Sequence, residues 1–505
     1  MTWATTESGS LNLIARAGTG KTSTLVHLLP YLTGSVFFGA FNKAIVEDIS
    51  VKVGRQFNVA VGTWHSLGLR LFRKIKPQLR IESRKVRTIA KKYYPTNMPI
   101  DKTCLKVVCE AVSYAKQSGF GLKGIDYTLP EKWTEIIDHY DLWDEVPGVV
   151  KKEDVIKVCI DVYDISLEQC MDGKDAIIDF DDMILAPLIF GETKPDIYDW
   201  VLIDEAQDTN EVRRRLALWV LKADGRVVAV GDPKQSIYGF AGATNNAMDL
   251  ISSTLKSSEL PLSVTYRCPK SVVELAQTWV PDIQAHESAP AGSVTSMSHR
   301  TFLRTDFRST DAILCRNTRP LIGIAKALRK RGVSCVVEGV NYQGLISLCS
   351  KWGEEIPISR MLIELREYTG EEVAKWLVKE NEEKAEQVRE KYEMVCDFAE
   401  GVDRGAPVYR LLDHIEALLS HVEDDREVLR LCTVHRSKGR EWDRVFLVGR
   451  NQYMPSKYAK KEWELKQEEN LMYVAVTRAK KELVEVGVPV KKSGQGQVPW
   501  WEEMG

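Results

Sequence analysis

An apolar run, Leu11 to Ile14, gives way to Ala15-Arg16-Ala17-Gly18-Thr19-Gly20-Lys21-Thr22 and then to the helix-like Ser23-Thr24-Leu25-Val26-His27-Leu28-Leu29. A strand that feeds a glycine-rich turn and then a helix confines a chain to a few α/β folds. The glycines allow successive backbone N–H groups to turn inward around phosphate oxygens, and the start of the helix favours negative charge. Lys21 would neutralise phosphate charge, and the Thr22 hydroxyl would hold Mg²⁺. The spacing predicts a nucleoside triphosphate site running from Ala15 through Ser23, although Ala15 stands where such loops usually open with glycine.

Two further strands fit that site. Trp200-Val201-Leu202-Ile203 ends in Asp204-Glu205-Ala206-Gln207-Asp208. Asp204 is suited to Mg²⁺ and Glu205 to polarising an attacking water. Val227-Val228-Ala229-Val230-Gly231 runs into Asp232-Pro233-Lys234-Gln235-Ser236-Ile237-Tyr238-Gly239-Phe240. A glutamine at a strand tip can sense a γ-phosphate, and Tyr238 and Phe240 just beyond it can touch a second ligand.

Composition limits the rest. The 505 residues are too many for one core and predict three or four structural units. Basic and acidic residues, 69 against 71, leave a net charge of −2, so overall charge does not advertise a nucleic-acid partner. Clusters such as Arg84-Lys85-Val86-Arg87 with Lys91-Lys92, Arg213-Arg214-Arg215 and Arg329-Lys330-Arg331 read first as solvated helix faces. Ten cysteines without a Cys-x-x-Cys pair argue for buried thiols over structural zinc or iron–sulfur sites. No apolar run reaches the roughly 18 residues of a membrane span, and Met1 to Glu7 lacks a secretory pattern. The expected compartment is cytoplasmic, or nuclear in a eukaryote, with no membrane partner.

Further segments fall in an order that makes a resemblance specific. They are Ala40-Phe41-Asn42-Lys43-Ala44, Gly62-Thr63-Trp64-His65-Ser66, Asp179-Phe180-Asp181-Asp182-Met183, Thr265-Tyr266-Arg267-Cys268 and Ala312-Ile313-Leu314-Cys315-Arg316. Thr433-Val434-His435-Arg436-Ser437-Lys438-Gly439-Arg440-Glu441-Trp442 and Glu469 through Ala479 follow near the end. Together with the phosphate loop and the Asp-Glu strand, this series resembles the UvrD/Rep-like superfamily I DNA helicases from residue 11 to about residue 483.

The resemblance implies an α/β fold class, with two RecA-like P-loop parallel-sheet lobes and α-helical insertions in each. The first lobe would comprise residues 1–72 and 176–255, interrupted by a helical insertion at 73–175. The second would comprise 256–345 and 425–505, interrupted by a reduced insertion at 346–424. Within the latter, Glu371 through Phe398 reads as one long amphipathic helix.

Roles follow from the same resemblance. Arg267 and Arg478 would reach the γ-phosphate, with Tyr266 on adenine and Glu441 on the nucleotide sugar. Phe240 is the first candidate for stacking on single-stranded bases, a contact worth about 1–3 kcal/mol per base. Phe41, Trp64 and Tyr238 are weaker candidates, because an aromatic near a strand end is more often core. Asn42, Thr63, His65, Thr433 and His435 would face the DNA, although His435 reads equally as a structural histidine.

Three departures from the family stand out. No glutamine precedes Ala15, Ala241 replaces a usual arginine, and Arg440 replaces a usual apolar residue. The 26 residues after Ala479 leave no expected room for a nuclease, and the Trp500-Trp501 pair is expected to pack or to dock a partner. The expectation is a monomeric, Mg²⁺-requiring ATP hydrolase, of phage or mobile-element type. It would move 3′→5′ on single-stranded and forked DNA with repair, replication or recombination partners. A protein-stripping translocase and a nucleotide-gated binding module remain open.

Overall fold

The computed structural model describes residues 9–40, 43–54, 58–93, 102–140, 142–146, 150–173, 175–237, 247–338, 342–378, 382–419 and 428–487. The chain divides into two compact units, Met1–Ser263 and Val264–Gly505.

The first unit contains β1 (Leu11–Ala15), β2 (Val36–Ala40), β3 (Val59–Thr63), β4 (Leu79–Ile81), β5 (Ala176–Ile178), β6 (Tyr198–Ile203), β7 (Leu221–Gly231) and β8 (Ser258–Leu262). Six of these form a parallel sheet in the order β3-β2-β6-β7-β1-β8. The strands are short apolar runs because both faces are covered. Phe37, Val201, Ile203, Val227 and Ala229 enter one core. Their alternating neighbours Val36, Phe38, Trp200, Leu202, Val228 and Val230 enter the other, with Leu25 and Leu28 of the Lys21–Leu28 helix. The C-terminal ends of β1, β6 and β7 therefore lie along one edge, where α/β sheets bind ligands.

Between β3 and β6 run the helices Trp64–Ile75, Lys85–Tyr93, Lys102–Gln117, Pro130–His139, Lys152–Met171 and Phe180–Phe190, with β4 and β5 paired in parallel. Val107, Val112, Trp133 and Val162 of these helices share one apolar cluster with Phe37 and Val201 of the sheet. The inserted helices are thus continuous with the sheet's core. Inside them, Lys116 binds both Asp179 and Asp182 at 2.6 Å, and Lys85 binds Asp182 at 2.7 Å. This buried set ties the Lys85–Tyr93 and Lys102–Gln117 helices to the start of Phe180–Phe190.

The second unit pairs β9 (Val264–Thr265) with β10 (Gln284–Ala285). It also builds a parallel sheet from β11 (Ser293–Ser298), β12 (Asp311–Cys315), β13 (Cys335–Val337), β14 (Leu429–Thr433), β15 (Trp442–Val448) and β16 (Ala479–Gly487). The order is β11-β16-β15-β12-β14-β13. The helices Tyr342–Cys349, Ile358–Val378, Glu382–Ala399 and Val408–Leu419 lie between β13 and β14 in sequence. Their Leu345, Met361, Leu365, Phe398 and Leu411 join Ile313, Leu431 and Phe446 in one core.

Two expectations change. The boundary placed at 255/256 moves to 263/264, because Ser258–Leu262 pairs with β1 as the edge strand of the first sheet. The single amphipathic helix over 371–398 is divided between Ile358–Val378 and Glu382–Ala399, which pack against each other. No apolar side chain occurs between Val378 and Ala385, so nothing holds a continuous buried face there.

Among the described residues no helix is long and apolar enough to cross a membrane. The cysteines are unpaired thiols, all buried except the half-buried Cys109 and Cys396. Trp500, Trp501 and Ala241 lie outside the described residues.

Candidate functional site

In the first unit, β1 ends at the buried Ala15, and the Arg16 N–H donates to the Leu262 carbonyl at 2.9 Å. The loop then turns through Gly18 and Gly20 at φ +72° and +82°, the left-handed region that favours glycine. Ala17, just before them, is buried, and Thr19, between them, closes the turn by donating its hydroxyl to the Arg16 carbonyl at 2.9 Å. Gly20 caps the Lys21–Leu28 helix, while Ser23 is exposed on its first turn.

This geometry brings Lys21 and Thr22 to the end of β6. Thr22 Oγ1 donates to Asp204 Oδ2 at 2.5 Å, and Lys21 Nζ lies 3.4 Å from Glu205 Oε2. Glu205 itself sits at φ +50°, a left-handed conformation uncommon for a side chain of its type. Gln207 Nε2 donates to Glu205 Oε2 at 2.6 Å, and Gln207 Oε1 accepts the Asp232 N–H at 3.0 Å. Asp232 in turn accepts from Gln235 Nε2 at 2.7 Å and pairs with Arg16 at 3.4 Å. A polar chain therefore links the phosphate loop, β6 and the end of β7. Arg16, Gln207 and Asp232 lay inside recognised motifs, yet no local pattern distinguished their roles.

Burial, and next the Glu205 charge, push the Asp204 carboxyl up to about 6. Two acids and a hydroxyl beside a lysine form a hard-oxygen donor set. Among the described residues no group of three or more His, Cys, Asp or Glu side chains could hold a metal ion. Mg²⁺ does not need one, since it takes one or two protein oxygens and completes its shell with water and phosphate. Thr22 and Asp204 fit that requirement.

On the same unit, Thr63 caps the Trp64–Ile75 helix by accepting the Ser66 N–H at 3.1 Å. Trp64 is only 3% exposed and packs edge-on against Phe37, so its ring belongs to the core and is not a base platform. His65 stands next to Phe180, whose ring is 56% exposed despite its apolar character. The Phe180 motif was recognised, but its exposed ring could be located only in three dimensions. Burial, helped by Arg213, holds His65 down to about 4, so its imidazole is neutral at pH 7. Phe41, Asn42, Tyr238 and Phe240 lie outside the described residues.

In the second unit, Tyr266 is 69% exposed with its ring 4.7 Å from that of His286. Arg267 Nε binds Glu441. Arg478 is 1% exposed, and its guanidinium donates to the Val474 carbonyl at 2.9 Å, the Arg440 carbonyl at 3.1 Å and Thr477 Oγ1 at 3.1 Å. Thr433 ends β14 half-buried. His435 follows on a short turn, where burial and the Arg316 charge hold it down to about 3.

The UvrD/REP helicase N-terminal domain matches residues 2–256, and the UvrD-like helicase C-terminal domain matches residues 343–485. ATP-dependent DNA helicase PcrA of Staphylococcus aureus (strain Mu50 / ATCC 700699) is 25% identical over 294 residues, covering 54% of this chain and 38% of the relative. F-box DNA helicase protein 1 of Schizosaccharomyces pombe is 26% identical over 523 aligned positions, covering 94% of this chain and 55% of the relative. The chain thus spans less than two thirds of these relatives' lengths. A solved arterivirus nonstructural protein 10 helicase with DNA is 11% identical at a TM-score of 0.35, covering 95% of this chain and 61% of that one, a likeness too faint to argue from. Two domain matches, one of them over half the sequence, carry the assignment: the chain belongs to the UvrD/Rep helicase family.

Proposed function

We propose that this chain is an ATP-dependent motor on single-stranded DNA that moves 3′→5′ and couples hydrolysis to strand separation. The observation that carries the reading is the convergence of Lys21 and Thr22 on Asp204 and Glu205, with the Thr22 hydroxyl 2.5 Å from the Asp204 carboxylate. Phosphoryl transfer needs little covalent chemistry from a protein and depends on positioning and charge. Residues 15–23 would wrap the phosphates, and Lys21 would exchange Glu205 for a phosphate oxygen. Thr22 and Asp204 would hold Mg²⁺, which supplies charge neutralisation at the phosphates when bound.

Glu205, released from Lys21 and oriented by Gln207, would take the proton of the attacking water. Gln235 would sense the γ-phosphate, Arg267 and Arg478 would neutralise its developing charge, Tyr266 would cover adenine and Glu441 would reach the sugar. An arginine supplied in this way is worth about 10³–10⁵ in rate. Thr63, His65, Thr433 and His435, with Phe180 as a ring platform, would follow the DNA strand. Phe41, Asn42, Tyr238 and Phe240 would extend that track. The names of the relatives support a DNA substrate. A forked junction and a repair, replication or recombination protein are the partners proposed.

Glu205→Gln is expected to retain binding of ATP and single-stranded DNA while losing about 10²–10⁴ in turnover. Steady-state hydrolysis with single-stranded DNA, beside nucleotide binding, checks this, and wild-type turnover in the variant would remove Glu205 from its role. One observation favours a second reading, a translocase that strips proteins but unwinds poorly. The helices between β13 and β14 share the core of their sheet, and no cluster among the described residues gives them a separate body. Efficient opening of a forked duplex by the monomer would exclude it.

A further inference from the structure

The unusual Arg440 has a partner. Glu338, just past β13, is 7% exposed and is fixed by its N–H to the Leu431 carbonyl at 2.8 Å. One of its carboxylate oxygens takes Arg430 Nη1 at 2.6 Å, and the other takes Arg440 Nη1. A buried carboxylate held at both oxygens is a firm anchor, because releasing either guanidinium would leave part of its charge unpaired.

What Arg440 carries on its backbone gives the anchor its meaning. Gly439, at φ +81°, turns the chain immediately before it, and the Arg440 N–H is tied to the Ser437 carbonyl at 3.0 Å. The Arg440 carbonyl accepts Arg478 Nη1 at 3.1 Å, and the Trp442 N–H donates to the Arg478 carbonyl at 3.0 Å. Glu441, between them, holds Arg267. Both arginines that the proposed function directs to the γ-phosphate are therefore held by residues 440–442.

We propose that Glu338 is a positioning residue which, through Arg440, fixes the 440–442 backbone and so sets the approach of Arg478 and Arg267 to the γ-phosphate. Glu338 touches neither arginine and no substrate atom. Arg440 acts by the placement of its carbonyl, its side chain serving as the tether. The inference rests on the reading of Arg267 and Arg478 as phosphate-facing groups.

The test uses the full chain and its single-stranded-DNA-stimulated ATPase. Arg440→Leu and Glu338→Ala are each expected to lower kcat by about tenfold to a hundredfold, as a displacement of about 1 Å can do, with KM for ATP within about twofold. The double variant should be no slower than the slower single one, because both changes cut the same tether. Arg430→Ala, which removes the other partner of Glu338, should lower the melting temperature while leaving kcat within about twofold of wild type.

Wild-type kcat in folded Arg440→Leu would overturn the inference and leave the proposed function standing. So would losses in the two single variants that multiply in the double, or an Arg430→Ala loss equal to that of Arg440→Leu. A wild-type chain without ATPase would overturn the proposed function and this inference together.

Discussion

At the residue scale, Asp204 carries a conflict between folding and function. Its carboxyl is raised to about 6 by burial and by the Glu205 charge, so the folded chain holds that proton more tightly than the unfolded chain does. The associated stability is fully present below the ordinary carboxylate range near about 4 and is lost as pH rises through about 6. Asp204→Asn is therefore expected to melt at a higher temperature than wild type at pH 8, by a margin on the order of 1–3 kcal/mol, and to lose that advantage near pH 4. Thermal unfolding across this range checks the sign, and a margin independent of pH would remove the assigned cause. The same carboxyl must be ionised to hold Mg²⁺, so metal and proton compete for it.

Trp64 marks the limit of reading single residues. It follows a threonine that the family resemblance directs to DNA, which made it a weak stacking candidate beside the stronger reading as core. Its burial depends on Gly39, where an added Cβ would lie 2.4 Å from the Trp64 ring. That pairing joins residues 25 positions apart on neighbouring elements and leaves no local trace. Lys21, Thr22, Asp204 and Glu205 were legible because each lies at a strand end with its chemistry in consecutive residues. The tether from Glu338 to Arg440 was not legible, since its halves are 102 positions apart.

Elements were legible where their residues repeat a burial pattern. β1, β6 and β7 read as apolar runs because helices cover both sheet faces. β8 did not, since Ser258-Glu259-Leu260-Pro261-Leu262 is mostly exposed and contains a proline, both marks of an edge. Helix contact has its own constraint. The Trp64–Ile75 helix meets Phe180–Phe190 at Gly68, where a Cβ would fall 2.2 Å from the Met183 carbonyl oxygen. Backbone cannot yield as a side-chain tip can, so Gly68→Ala is expected to cost about 2–3 kcal/mol. Denaturant unfolding measures this, and an unchanged midpoint would mean that the two helices separate freely.

For the whole molecule, a net charge of −2 leaves the proposed DNA binding to local contacts with phosphate. Each contact releases counterions, so the DNA concentration that half-activates hydrolysis should rise by at least roughly tenfold between about 50 and 200 mM salt. A flat salt series with strong hydrolysis would point to a partner recognised without its phosphates. The neutral His65 and His435 add no cationic term to this dependence at pH 7.

Strand order also sets a schedule for synthesis. β1 lies between β7 and β8, so its lateral hydrogen-bonding partners are encoded more than 200 residues later. On a ribosome adding about 5–20 residues per second, the segment that begins the phosphate loop waits on the order of ten to fifty seconds for both neighbours. Throughout that interval Leu11 and Leu13 have no completed sheet to enter. The nascent chain thus carries the loop at residues 18–20 long before it can lock it, and locking waits until the first unit is nearly finished.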